Sequence, residues 1–177
     1  MIDLILVDAQ DNEIGVMEKV QAHLGEGTLH RAFSAIVFNS KGETLIAQRS
    51  AGKMLWPLYW DNTCASHPFP GEGIVESGER RLSEELGFTC PLKKVDVFQY
   101  QEKYLDVGAE NELCATLIGE YNGAVNPVES EVVDYKWISI DDLKKDMLAN
   151  PDKYTIWFKI AIDRLLEQGL IKLQENL

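Results

Sequence analysis

One run restricts the fold more than any other: EGIVESGERRLSEELGF, Glu72–Phe88. It reads as a helix from about Ser77 to Leu86, stopped by Gly87. At i, i+4 spacing Arg80 faces Glu84 and Arg81 faces Glu85, which by itself describes a solvated, ion-paired helix. Its neighbours are strands. Asp3–Asp8, Glu13–Met17, RAFSAIVF (31–38) and TLIAQR (44–49) precede it, and NSKGE supplies hairpin chemistry with Gly42 free to take positive φ. Val95–Tyr104, Glu112–Tyr121 and a strand around Asp134–Ile138 follow. SIDDLKKDMLAN opens on a capping-type serine and reads as a short helix. NPDKYTIWFKIAIDRLLEQGL reads as an amphipathic helix with Trp157, Ile160 and Ala161 on one face, closed by Gly169. Strands alternating with a few helices, without a strict βαβ repeat, predict an α/β fold: a mixed β-sheet sandwich flanked by helices. No repeat or linker-like shift divides the chain, so residues 1–177 are expected to form a single domain.

The charge balance narrows the partners. Seventeen Lys and Arg against 29 Asp and Glu give a formal charge of -12, and no dense basic face is available for nucleic acid. A small anion needs only two or three placed cations and stays allowed. The three cysteines, Cys64, Cys90 and Cys114, cannot all pair and show no metal spacing, which suits a reduced, cytoplasmic setting. No apolar run reaches membrane-spanning length, and MIDLILVDAQ, broken by Asp3 and Asp8, reads as a first strand instead of a signal peptide. No long apolar patch demands a partner, so a monomer is expected.

Several residues carry chemistry. Glu110 and Glu112, in ENE, share one face of a strand about 7 Å apart; paired acids on one face are costly if buried without a metal or a proton. His23, His30 and His67 are the only histidines, but their spacing matches no zinc motif. NTCASHP (62–68) sets Cys64 and His67 within four residues and invites a reading as a thiol and its base. Trp56, Tyr59 and Trp60 read as core, and Arg49, Lys53, Arg81 and Lys19, taken singly, as surface cations.

Read as a whole, Ser66 to Phe88 resembles the Nudix box, G-x5-E-x7-R-E-U-x-E-E-x-G-U, whose carboxylates converge on Mg²⁺ and so hold a diphosphate. Glu72 and Arg80 match, as do Leu82, Glu84, Glu85, Gly87 and Phe88. Two positions depart: Ser66 replaces the first glycine, and Arg81 replaces the glutamate after the arginine. A cation there suits binding a diphosphate without cleaving it. Beyond the box, QAHLGEGTLHRAFS, W-P-x-x-W-x-N-T-C-x-S-H-P, ENE-x-C and a tryptophan in the last helix resemble the type I isopentenyl-diphosphate isomerases, non-hydrolysing Nudix relatives. These landmarks run from Lys19 to Trp157.

The resemblance implies a Nudix-type sandwich and a set of site residues. His23, His30, His67, Glu110 and Glu112 would bind one divalent cation, Mn²⁺, Zn²⁺ or Mg²⁺. Lys19, Arg49, Lys53 and Arg81 would contact the diphosphate of a small prenyl substrate, and Mg²⁺ held by Glu85 would bridge to it. Trp157 would stabilise a carbocation with its π-face. Glu112, hydrogen-bonded to Tyr100, would serve one proton transfer, and a cysteine the other, in isomerising isopentenyl to dimethylallyl diphosphate. That cysteine position, two residues before the histidine, is Ala65 here. Adjacent side chains of an extended segment face opposite ways, so the Cys64 thiol is expected to point away from substrate. The chain is therefore expected to be severely impaired as an isomerase. The alternatives are a non-catalytic prenyl-diphosphate binder and a Nudix hydrolase. Three explanations fit Ala65: an engineered Cys-to-Ala change, a natural homologue kept as a binder, or another group, Cys64 or a water, supplying the proton step.

Overall fold

The computed structural model describes residues 2–173. β1 (Asp3–Val7) and β2 (Glu13–Glu18) pair antiparallel, and the chain then enters the short helix α1 (Lys19–His23). β3 (His30–Phe38) turns into β4 (Glu43–Arg49), with Gly42 at φ 75° and the Asn39 side chain accepting from the Lys41 and Glu43 amides. Two short strands, β5 (Trp60–Asp61) and β6 (Cys64–Ser66), lie within the aromatic segment, and α2 (Ile74–Leu86) follows. The remaining elements are β7 (Leu92–Tyr104), β8 (Gly108–Glu120), β9 (Val132–Ser139), α3 (Ile140–Ala149), a 3-10 turn at Pro151–Lys153, and α4 (Ile156–Glu167).

β3 organises the sheet. It runs antiparallel to β1, β4 and β6 and parallel to β8, with His30 opposite Glu112 at one end and Phe38 opposite Glu120 at the other. β7 closes on β8, and β9 on β4. Alternation along β3 sends Ala32 and Ile36 to one face and Phe33, Ala35 and Val37 to the other. Trp157, Phe158 and Ala161 of α4 and Leu143 of α3 cover the first face. Leu82 and Leu86 of α2 cover the second. This is the expected mixed sheet flanked by helices.

Two helix starts differ from the sequence reading. α2 begins at Ile74, one turn before Ser77, because Ser77 does not cap it: its amide bonds to the Gly73 carbonyl, and its hydroxyl donates to the His67 carbonyl at 3.2 Å. The other end is as expected, with Gly87 left-handed at φ 70°. The stretch from Asn150 is not one helix either. Its first turn is 3-10, and α4 starts only at Ile156 because Tyr154 and Thr155 run into it extended. Thr155 donates its hydroxyl to Asp61 across the fold and so does not cap α4. Ser139 does cap α3, accepting from the Asp142 amide at 3.1 Å.

Candidate active site

The aligned register of β3 and β8 sets His30 beside Glu112, and β8 alternation puts Glu110 on the same face. α1 delivers His23 from above, and the segment after β6 delivers His67. His23, His30, Glu110 and Glu112 are buried, and the His67 side chain is only 10% exposed. His23 Nδ1 lies 2.6 Å from the Lys19 carbonyl and His30 Nδ1 lies 2.7 Å from the Thr28 carbonyl. A carbonyl can only accept, so both Nδ1 atoms carry the proton and both Nε2 atoms present lone pairs.

Those nitrogens face a carboxylate and the third histidine. His23 Nε2 lies 2.8 Å from Glu110 Oε2, an oxygen without a hydrogen-bonding donor, and His30 Nε2 lies 3.1 Å from His67 Nε2. His67 Nε2 lies 3.0 Å from Glu112 Oε1, which is also 3.6 Å from His30. Ligand atoms of His23, His30, His67 and Glu110 all fall within 4.8 Å of one another. Three imidazole nitrogens and two carboxylates crowded together in one buried place suit a divalent cation. The titration behaviour reflects the crowding. Burial and the Glu112 charge raise Glu110, whereas Glu112 is held low, against burial, by His30 and His67. Burial lowers His67 to about 3, and His23 is raised, against burial, by Glu110.

The cluster opens into a cavity of about 360 Å³. Lys19, Arg49, Lys53 and Arg81 reach its wall, and Tyr100, Trp157 and Ala65 line it too. Tyr100 donates its hydroxyl to Glu112 Oε2 at 2.7 Å, so one oxygen of Glu112 faces the histidines and the other the phenol. Burial, with Lys53 nearby, lowers the Lys19 pKa. The four cations, taken singly as surface charges, thus gather at one place.

Ala65 and Cys64 separate as alternation requires. Ala65, opposite Ser34 of β3, packs on the α4 side and lines the cavity. Cys64 is buried on the α2 side, where burial and the Glu85 charge push its thiol well above its ordinary value. It is an inert core thiol. Glu85 sits apart from the histidine cluster. Arg81 holds its carboxylate, and it faces a smaller adjoining cavity shared with Ala65. Arg80 pairs with Glu72 at 2.7 Å and with Glu84 at 3.0 Å, so the remaining box charges brace α2 against its leading loop.

Two residues of consequence escaped the sequence reading. Glu131 pairs with Lys53 and lies 3.5 Å from Arg81. Asp61 is buried against Trp157 and Arg49. Glu131 lies in a loop and Asp61 on a two-residue strand, and no spacing marks either.

Gly108, at the start of β8, lets α1 dock. A Cβ there would stand 2.4 Å from the His23 carbonyl oxygen, and backbone cannot rotate away as a side chain can. Gly108→Ala is expected to cost about 1–3 kcal/mol of stability and to weaken divalent-cation binding by displacing His23. Thermal melts with and without Mn²⁺ measure both.

Known proteins resemble this chain in sequence and in fold. The NUDIX domain family matches residues 28–158. The chain is 41% identical over 161 residues to "Isopentenyl-diphosphate Delta-isomerase" of Burkholderia multivorans, covering 91% of each. It is 40% identical over 175 residues to "Isopentenyl-diphosphate Delta-isomerase 1" of Photorhabdus laumondii, covering 98% of this chain and 99% of that one. Among solved structures, DR0079 of Deinococcus radiodurans superimposes with a TM-score of 0.75 at 18% identity, over 92% of this chain and 98% of that one.

Proposed function

Since the chain belongs to the NUDIX domain family and, within it, to the isopentenyl-diphosphate Delta-isomerases, we propose that it converts isopentenyl diphosphate to dimethylallyl diphosphate in the cavity lined by Ala65, at a rate limited by the missing thiol. One observation carries the reading: a buried cluster of His and Glu ligands opens into the same cavity as four cations and the Trp157 ring.

Lys19, Arg49, Lys53 and Arg81 bind the diphosphate, with Arg49 and Arg81 presenting planar forks. Protonating the terminal methylene leaves a tertiary cation at C3, and removing a C2 proton gives the dimethylallyl product. Trp157 faces the cation, with Trp56 edge-on to its ring at 5.2 Å and Tyr100 at 6.0 Å helping to exclude water. Tyr100 OH and Glu112 Oε2 hold or move the proton on one face. On the other face stands the Ala65 methyl, which can do neither. His23, His30, His67, Glu110 and Glu112 would hold a divalent cation, Mn²⁺, Zn²⁺ or Mg²⁺, and Glu85 a Mg²⁺ on the diphosphate. Such cations supply charge neutralisation and fix the carboxylates' orientation. The chain acts as a monomer in the cytoplasm.

Ala65 also favours a second reading, a prenyl-diphosphate binder without turnover. Hydrolysis is disfavoured, because Arg81 occupies a carboxylate position of the box and pairs with Glu85. Incubation with isopentenyl diphosphate in D₂O separates the three. Slow deuterium incorporation supports the isomerase, binding by calorimetry without exchange supports the binder, and released phosphate would overturn both.

A further inference from the structure

Asp61 is a buried carboxyl that no step of the reaction above uses. It lies on β5, outside the lining of the substrate cavity, yet it touches two groups that form the wall. Its Oδ1 accepts from Trp157 Nε1 at 2.7 Å, from the Thr155 hydroxyl at 2.9 Å and from the Asn62 amide at 2.8 Å. Its Oδ2 accepts from Arg49 NH1 at 3.1 Å. Four donors converge on it, an arrangement that fits the carboxylate form. It also sits at the N-terminus of α4, where the helix dipole favours a negative charge. Burial pushes its pKa up, and Arg49, Thr155 and the Asn62 amide pull against that.

The arrangement around Trp157 raises an electrostatic problem. The Arg49 guanidinium stands 5.3 Å from the centroid of the ring that must face a carbocation. A second cation there works against the first. We propose that Asp61 is a positioning residue for the reaction: by accepting the indole N–H and pairing with Arg49, its carboxylate fixes the Trp157 ring, enriches its negative face and offsets the arginine charge beside it. Arg49 does not depend on Asp61 for its place. Its Nε donates to the Trp56 carbonyl at 3.0 Å and its NH2 to the Leu55 carbonyl at 2.9 Å. Losing the carboxylate charge therefore weakens cation stabilisation and leaves diphosphate binding in place.

This rests on the carbocation reading of the site, and the test separates the two without needing turnover. Two probes are titrated by calorimetry with Mg²⁺: neutral isopentyl diphosphate, and an alkyl diphosphate carrying a dimethylammonium where the tertiary carbon would be. Asp61→Asn keeps an acceptor for the indole and removes the charge. It is expected to narrow the preference for the ammonium probe about tenfold, with affinity for the neutral probe within about threefold. The Trp157 indole N–H resonance, assigned through Trp157→Phe, should stand downfield in the wild type and move upfield in Asp61→Asn. Asp61→Thr, also neutral, is the second variant should the first fail to fold. An unchanged preference, both affinities falling together, or an unmoved indole resonance overturns the proposal. Failure of the wild type to bind the neutral probe overturns the diphosphate reading beneath it.

Discussion

Ala65→Cys is expected to raise the isomerisation rate by ~10²–10⁴, the range over which a positioned acid or base acts. The geometry permits it. Ala65 lines the open cavity, so a single sulfur enters space that substrate also occupies and does not overpack the core. Lys53 and Arg81 reach the same wall, and cations near a thiol favour its thiolate. The new group would line the same cavity as the Tyr100–Glu112 pair, supplying the second proton-transfer partner. Deuterium exchange into isopentenyl diphosphate in D₂O, compared at saturating substrate, measures the gain. Cys64→Ser in the same background is the control. Because the Cys64 thiol is buried on the α2 side, that change should leave the rate of Ala65→Cys unaltered. An unimproved rate would mean that the alanine is not the limiting lesion. A drop caused by Cys64→Ser alone in the unmodified chain would instead make Cys64 the substitute thiol.

Much of this arrangement was legible before the fold was known, and for identifiable reasons. The alternation that separates Cys64 from Ala65 is a property of any extended segment, and β6 is extended. The pairing of Arg80 with Glu84 and Arg81 with Glu85 follows from helical spacing and is present. Glu110 and Glu112 share a face because β8 runs through both. What stayed hidden depends on contacts between distant segments. α1 is five residues long, too short for a periodic signal, yet it carries both Lys19 and His23. α2 starts at Ile74, a turn before the expected Ser77, whose hydroxyl is bound to the loop that carries His67. Asp61 meets Trp157 across 96 positions of sequence, and no local pattern encodes such a contact. The residue-level site came from motif resemblance, and its geometry from the register between β3 and β8.

Removing the divalent cation is expected to abolish exchange and to destabilise the chain, and the size of the second effect should depend on pH. Stripped of metal, the cluster retains the close His30–His67 contact and the buried Glu110–Glu112 pair. Protons are the available substitute. His23 has a raised pKa, so near and below its ordinary value of 6.5 a proton competes for the Nε2 that would ligate the cation. Metal affinity therefore falls as pH falls. The stripped protein's own stability has two opposed contributions. For His23, the folded pKa lies above the unfolded one, so its contribution is full below about 6.5 and is lost as pH rises through the folded value. For His67, burial depresses the pKa to about 3, so the unfolded chain takes up a proton that the folded one refuses. That costs stability increasingly as pH falls from about 6.5. Cation binding reverses the first trend, since it replaces the His23 proton. A cation at a hundred times its dissociation constant adds about 2.7 kcal/mol, or roughly 5–11 °C in melting temperature for a chain of this size. Melts with excess Mn²⁺ and with chelator should differ by that amount at pH 8 and by much less at pH 6. Equal differences at the two pH values would mean that the histidines do not ligate the ion. Glu112→Gln preserves shape while removing the charge that faces both His67 and Tyr100, so it strikes proton transfer and cation binding together. It should lower exchange by at least ~10² even in the Ala65→Cys background.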